Sequence, residues 1–259
     1  MYFASSEDYI RCVFNTMKIK NPDGNTGTVD IYFARTKDII TEFQELKNHI
    51  CKNDLIRADK FHFEEDRETW LCCHTLLRIV LSEKLGIESS YVNIYYDRNN
   101  KPWLEGNPLF FNISHTRETF AFAISDFVRI GIDIEKIDRS IDFESIIRTF
   151  FSPEEMEFIL ADPENSRNRF FLLWTRKEAL LKALGTGIID NLTDVEVFRE
   201  VNVLKQESFD NIVDNSFFCD HFIYSREIMN NYISIALPRR AKITLNHLDA
   251  ERVKFYLGV

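Results

Sequence analysis

Residues 128–135 read Val128-Arg129-Ile130-Gly131-Ile132-Asp133-Ile134-Glu135, β-branched at alternate positions and acidic toward the end. Successive strand side chains point to opposite faces, so Ile132 and Ile134 share one face while Asp133 and Glu135 share the other. Two carboxylates roughly 7 Å apart on one face repel each other unless a cation lies between them, and an oxygen-ligated Mg²⁺ suits that place. The same pattern also describes a solvent-facing strand whose polar side is acidic, and this stretch alone does not separate the two readings.

Two neighbouring stretches bear on the choice. In Phe110-Phe111-Asn112-Ile113-Ser114-His115-Thr116 an apolar run stops at a hydroxyl and an imidazole, just before a second alternating run at 120–124. Such a strand end, with free backbone N–H groups nearby, suits a phosphate or a base edge; a capped turn with a solvated histidine is the plainer alternative. Residues 170–185 form a strong helix pattern closed by Gly185, and Trp174, Glu178 and Lys182 recur every four residues along it. An exposed Glu-to-Lys pair at that spacing is worth only about 0.3–0.5 kcal/mol. This stripe, however, begins at a tryptophan inside a mostly apolar helix, which points to partial burial. A half-buried carboxylate and ammonium need partners, and a cation for Glu178 with phosphate oxygens for Lys182 would supply them.

In order along the chain, Asn112-Ile113-Ser114-His115, Gly131-Ile132-Asp133-Ile134-Glu135, Phe150-Phe151-Ser152-Pro153-Glu154-Glu155 and Trp174-Thr175-Arg176-Lys177-Glu178-Ala179-Leu180-Leu181-Lys182 resemble the motifs of the Sfp-type 4′-phosphopantetheinyl transferases. The resemblance continues more loosely upstream, through Arg57 to Arg78 and Lys101-Pro102. It implies transfer of 4′-phosphopantetheine from coenzyme A to a serine of an apo acyl or peptidyl carrier protein, with Mg²⁺ and release of adenosine 3′,5′-bisphosphate. It also implies that Asp133, Glu135 and Glu178 hold Mg²⁺ against the coenzyme A pyrophosphate and that Lys182 contacts that pyrophosphate. Ser114 and His115 would sit by the 3′-phosphoadenosine, with Lys101 and Arg57 as further phosphate contacts. Glu178 is the first choice as general base for the carrier serine, and Glu155, acting through a water, the second. Two positions depart from the family pattern. Asn100 precedes Lys101 where the family has glycine, and Asp54 falls near a position that is usually basic, leaving Lys52 as the nearest substitute. A Mg²⁺-dependent hydrolase of nucleotide pyrophosphates such as coenzyme A, using the same carboxylates on water, is the rival activity. A non-catalytic binding module is disfavoured by the intact Asp133, Glu135, Glu178 and Lys182.

The expected fold is α/β of the α+β type, a pseudo-dimer of two similar halves with the active site in the cleft between them, divided as 1–105 and 106–259. Strand patterns fall at 28–34, 91–96, 120–124, 128–134, near 195–198, at 222–225 and at 232–237, and helix patterns at 66–85 and 168–184. Residues 99–107 make the best hinge, and 21–25 read as a turn. At 45% hydrophobic residues the chain of 259 can fill a substantial core. No run approaches the roughly 20 apolar residues of a membrane span, and the first 16 lack the apolar stretch of a signal peptide. A soluble, cytoplasmic monomer is expected. The net charge of −9 argues against general nucleic-acid binding. Cys12, Cys51, Cys72, Cys73 and Cys219 lack metal-type spacing and read as packing thiols. The aromatic-rich stretch 143–158 is the candidate docking surface for the carrier, with Ile146, Ile147 and Met156 exposed and Phe150 and Phe151 in the core.

Overall fold

The alternation read at 131–136 is realised as a strand with its apolar side toward a second sheet and its acidic side toward a helix. The computed structural model describes residues 27–187, 192–199, 201–203 and 220–258, so Cys12, Cys219 and the turn at 21–25 lie outside the described residues. Ten strands are described: β1 (Thr28–Arg35), β2 (Ile94–Tyr96), β3 (Pro102–Leu104), β4 (Phe110–His115), β5 (Thr119–Ser125), β6 (Gly131–Lys136), β7 (Val201–Val203), β8 (Asp220–Ile228), β9 (Asn231–Leu237) and β10 (Lys242–His247). The main helices are α1 (Lys52–Ala58), α2 (Glu64–Leu85), α3 (Phe143–Phe150), α4 (Pro153–Leu160), α5 (Ser166–Leu184) and α6 (Ala250–Leu257), with short helical turns between residues 36 and 47.

Two four-stranded sheets result, ordered β10-β1-β5-β4 and β6-β9-β8-β7, beside a small β2-β3 hairpin. Each large sheet sends alternate residues to opposite sides. Tyr32, Ala34, Phe120, Phe122 and Ile124 pack with α2, while Val29, Ile31, Phe33, Ala121 and Ala123 meet Ile132, Ile134, Ile233, Ile235 and Leu237 of the other sheet. The remaining side of the second sheet carries α5, with Tyr232 and Ala236 in a third core beside Leu173, Leu180 and Phe170. The halves are alike: each runs strand, long helix, antiparallel hairpin, and in each the first strand lies antiparallel to the last, β1 with β5 and β6 with β9.

The close approach of strand and helix explains a glycine. A Cβ on Gly131 would stand 2.1 Å from the Ala179 carbonyl oxygen and 2.2 Å from the Ala183 nitrogen, so only glycine lets β6 lie directly on α5.

Three expectations need correction. The division at 105/106 separates elements that belong together. β4 and β5 pair into the first sheet, and so does β10, parallel to β1, so the first half is 28–125 plus the C-terminal 242–257, and the second is made of the described residues between 131 and 237. Residues 195–198 are not a strand, although Val195 and Val197 are buried. Their backbone groups are taken by side chains rather than by a neighbouring strand: the carbonyls of Val195 and Val197 accept from Lys177 and Arg176, and the Val197 N–H donates to Glu155. Finally, Ile147 is buried and Ile146, Phe150 and Met156 pack against the α5 core, so 143–158 is mainly a packing surface. Cys51, Cys72 and Cys73 are free thiols. Among the described residues no helix is long and apolar enough to cross a membrane.

Candidate active site

The stripe Trp174, Glu178, Lys182 lies on the side of α5 that faces the acidic side of β6, so the two sequence motifs meet. Lys182 Nζ is 2.7 Å from Asp133 Oδ1 and donates also to Ser114 Oγ at 2.9 Å. The Ser114 hydroxyl donates to the same Asp133 oxygen at 2.8 Å. Asp133 is buried, and its second oxygen, Oδ2, has no hydrogen-bond partner among the described residues. A buried carboxylate oxygen left unpaired is costly, and it marks a place where a ligand would be welcome.

The electrostatics point the same way. Burial, then the charge of Asp133, raises the Glu135 carboxyl to about 7, against a lowering by Lys182 and a hydrogen bond from Trp174. Burial and Asp133 also raise Glu178, with Lys182 again opposing. Among the described residues, the three carboxylates therefore share the Lys182 ammonium. Among the described residues no three His, Cys, Asp or Glu side chains form a ready-made metal-binding group. The donor set nonetheless suits a hard cation, because all the donors are oxygens and one carboxylate oxygen stands free. Mg²⁺ in particular usually binds through one or two carboxylates together with substrate phosphates rather than in an all-protein cage.

This cluster borders a cavity of about 560 Å³ whose wall comes from both halves. The second half supplies Glu178, Leu181, Lys182, Gly185 and Gly187; the first supplies Arg57, Lys60, Phe61, Trp70, His74, Tyr96, Asn112 and His115, with the 99–102 tip. His74 stacks on Trp70 at 3.8 Å between ring centroids, and the Arg57 guanidinium lies 3.5 Å over the Tyr96 ring. Burial lowers His115, and the nearby Lys182 lowers it further; burial also lowers His74, to about 3, so both imidazoles face the cavity neutral near pH 7.

The residues named from sequence are placed as follows. Arg57, Lys101, His115, Glu178 and Lys182 line the cavity, Asp133 and Ser114 stand behind Lys182, and Glu135 is coupled to them from the next inward position on β6. Ser114 is directed at Asp133 and Lys182. Lys101 does not present a free ammonium: it donates to the carbonyls of Lys182 at 2.5 Å, Ala183 at 2.9 Å and Ile130 at 3.4 Å. Its pKa falls to about 8, chiefly through burial. The reading of Lys101 as a phosphate contact is corrected on that ground. Asn100 keeps the turn that a glycine would make, with φ of 59° in the left-handed region that asparagine tolerates.

Glu155 is also corrected. It is fully buried away from the cavity, 2.8 Å from Lys177 Nζ, and it accepts the N–H groups of Ser152 and Val197. Its carboxylate is used up in holding α4 and the 195–197 segment on α5, so it cannot serve as a base. Asp54 likewise pairs with buried Arg78 at 2.8 Å, and Lys52 is exposed without lining the cavity. Sequence reasoning missed Lys60, Trp70, His74 and Tyr96. Lys60 was within reach, since it follows Arg57 by three residues in the turn that closes α1, where its N–H donates to the Arg57 carbonyl.

Both halves of the chain match known proteins. A model described as the 4′-phosphopantetheinyl transferase superfamily matches residues 129–232, and one described as 4′-phosphopantetheinyl transferase, N-terminal, matches 37–126. The chain is 34% identical over 162 residues to the 4′-phosphopantetheinyl transferase HetI of Nostoc sp., covering 61% of this chain and 68% of that protein. It is 32% identical over 154 residues to the 4′-phosphopantetheinyl transferase psf-1 of Bacillus pumilus, covering 59% and 65%. A 4′-phosphopantetheinyl transferase of Bacillus subtilis is 32% identical over 135 residues, covering 51% and 58%. The chain thus spans about two thirds or less of the length of these relatives.

Proposed function

This chain belongs to the 4′-phosphopantetheinyl transferase family, and we propose that it transfers 4′-phosphopantetheine from coenzyme A to a serine of an apo acyl or peptidyl carrier protein, in a Mg²⁺-dependent reaction. The observation that carries the reading is the cavity between the halves. A cationic and aromatic wall from the first half faces a carboxylate cluster from the second, the arrangement a nucleotide pyrophosphate with an attached 3′-phosphate requires. The relatives named above are all transferases, which leaves the pyrophosphate hydrolase without support.

In this reading Arg57, Lys60 and His115 meet the 3′-phosphoadenosine end and Lys182 the pyrophosphate. Asp133, with its unpaired Oδ2, Glu135 and Glu178 would hold the Mg²⁺. Bound there, Mg²⁺ would neutralise the pyrophosphate and stabilise charge on the departing bisphosphate. The residues do the rest. Lys182 carries its charge to the phosphate oxygens, with Ser114 holding Asp133 in place behind it. Glu178, on the cavity wall, accepts the proton of the carrier serine as its oxygen attacks the phosphorus bearing the pantetheine. The P–O bond to the bisphosphate breaks, and adenosine 3′,5′-bisphosphate leaves with the electron pair. A monomer suffices, since both walls of the cavity come from one chain, and the cytoplasm is the compartment where coenzyme A and carriers meet.

The test is incubation with coenzyme A, Mg²⁺ and a panel of apo-carrier proteins, followed by mass spectrometry of the carriers. The expected result is a carrier heavier by one phosphopantetheine, only with Mg²⁺ present. Consumption of coenzyme A with every carrier unmodified would refute it.

A further inference from the structure

We propose that the tip of the β2-β3 hairpin is a latch: Asn99 and Lys101 fasten the end of α5 to the first half and so position Glu178 and Lys182 at the cavity. The inference rests on the transferase reading for its consequence, but on geometry for its substance.

A helix leaves its last carbonyls without intrahelical partners, and these carry the negative end of the helix dipole. At the end of α5 the Gly185 N–H satisfies only the Leu181 carbonyl. The next carbonyls are taken from across the cleft. Lys101 Nζ donates to Lys182 O and Ala183 O, and Asn99 Nδ2 donates to Gly185 O at 2.6 Å. The third partner of Lys101 is the Ile130 carbonyl, one residue before Gly131, where β6 lies against α5. One ammonium therefore pins both elements of the second half at their crossing. The tip is itself held in shape, since Asp97 Oδ1 accepts from the backbone N–H groups of Asn99 and Lys101, and Asn100 takes the left-handed turn between them. Lys182 is the residue whose carbonyl Lys101 holds, and Glu178 lies one turn before it. Tilting the last turn of α5 would move both groups relative to Arg57, Lys60 and His115. Asn99 and Lys101 are on this account positioning residues.

The experiment compares Lys101→Met, Lys101→Arg, Asn99→Ala and the double variant Asn99→Ala/Lys101→Met in two readouts. Amide hydrogen exchange of residues 182–187 is expected to quicken about tenfold in Lys101→Met and in Asn99→Ala, because local opening no longer breaks the latch bonds. In carrier transfer, Lys101→Met should lose roughly ten- to a hundredfold in kcat/KM, equally for coenzyme A and dephospho-coenzyme A, as a misplaced catalytic group does. The neutral Asn99 should give a smaller loss of the same form, the double variant should be less than additive, and Lys101→Arg should regain much of the activity. A loss confined to coenzyme A, with unchanged exchange at 182–187, would make Lys101 a phosphate ligand and overturn the latch. If Lys101→Met fails to fold, Asn99→Ala, at an exposed position, decides by the same criteria. The exchange measurement needs no transferase activity, so failure of the latch and failure of the transferase reading give different results.

Discussion

Helix α5 carries two lysines five residues apart, each paired with a carboxylate, and the difference between the pairs separates architecture from chemistry. Lys177 and Glu155 are both fully buried at 2.8 Å, and each has further partners: carbonyls of Leu192 and Val195 for the lysine, N–H groups of Ser152 and Val197 for the carboxylate. Lys182 and Asp133 are at 2.7 Å, but the lysine keeps 30% of its side chain exposed to the cavity and the carboxylate has an oxygen to spare. A pair with every valence used can only hold the protein together. A pair left incomplete beside a cavity can exchange its partners for a substrate.

Breaking the sealed pair should have the largest effect. Lys177→Met leaves the Glu155 carboxylate buried without its counter-charge, a loss of about 3–5 kcal/mol. Urea unfolding should show the drop, while the activity of the fraction still folded stays within a few-fold of wild type. An equal stability with activity abolished would move Lys177 into the catalytic machinery.

The open region is sharpened by His115→Ala. A charge-assisted contact with the 3′-phosphate is worth about 1.5–3 kcal/mol, or one to two decades in affinity, so coenzyme A should weaken by that much and dephospho-coenzyme A far less. Equal losses for both ligands, read by calorimetric titration, would make His115 a wall residue only.

A smaller effect distinguishes the cavity wall from solvent. His74 stays neutral when folded, with a pKa of about 3, but takes up a proton near pH 6.5 when unfolded. Between those values the unfolded chain binds more protons, so the stability due to neutral His74 is complete above pH 6.5 and is lost as pH falls. The loss is about 2 kcal/mol from pH 6.5 to 5. Denaturant unfolding across that range should show the slope, and His74→Asn should flatten it.

Much of this was legible locally. The alternation of 131–135 placed Asp133 and Glu135 on one face, and the four-residue spacing of Trp174, Glu178 and Lys182 placed them on one stripe, because period alone fixes both. What local sequence does not carry is which element a face meets. The first sheet is completed by β10, more than 200 residues from β1, through a parallel pairing with no local signature. Residues 195–198 look like a strand because Val195 and Val197 are apolar, yet Lys177, Arg176 and Glu155 have taken their backbone groups. The resemblance assigned Lys101 to a phosphate, and nothing local spoke against it, because the three carbonyls it meets lie at a helix end and just before a strand, both distant from it in sequence. Glu155 carried a readable warning. It stands three residues after Ser152, the spacing of a capping box, and the structure contains that box.

The most direct measurement is the carrier-transfer rate of Asp133→Asn beside that of Glu155→Gln, each normalised to folded protein and paired with its thermal unfolding curve. Asp133→Asn should lose at least about a hundredfold in kcat/KM, as when a principal electrostatic stabiliser is removed, with an unfolding temperature close to wild type. Glu155→Gln should unfold at clearly lower temperature yet transfer at nearly the wild-type rate. Near-normal transfer by Asp133→Asn, or a loss in Glu155→Gln as large as that expected for Asp133→Asn with its unfolding unchanged, would contradict the division between the sealed pair and the open one.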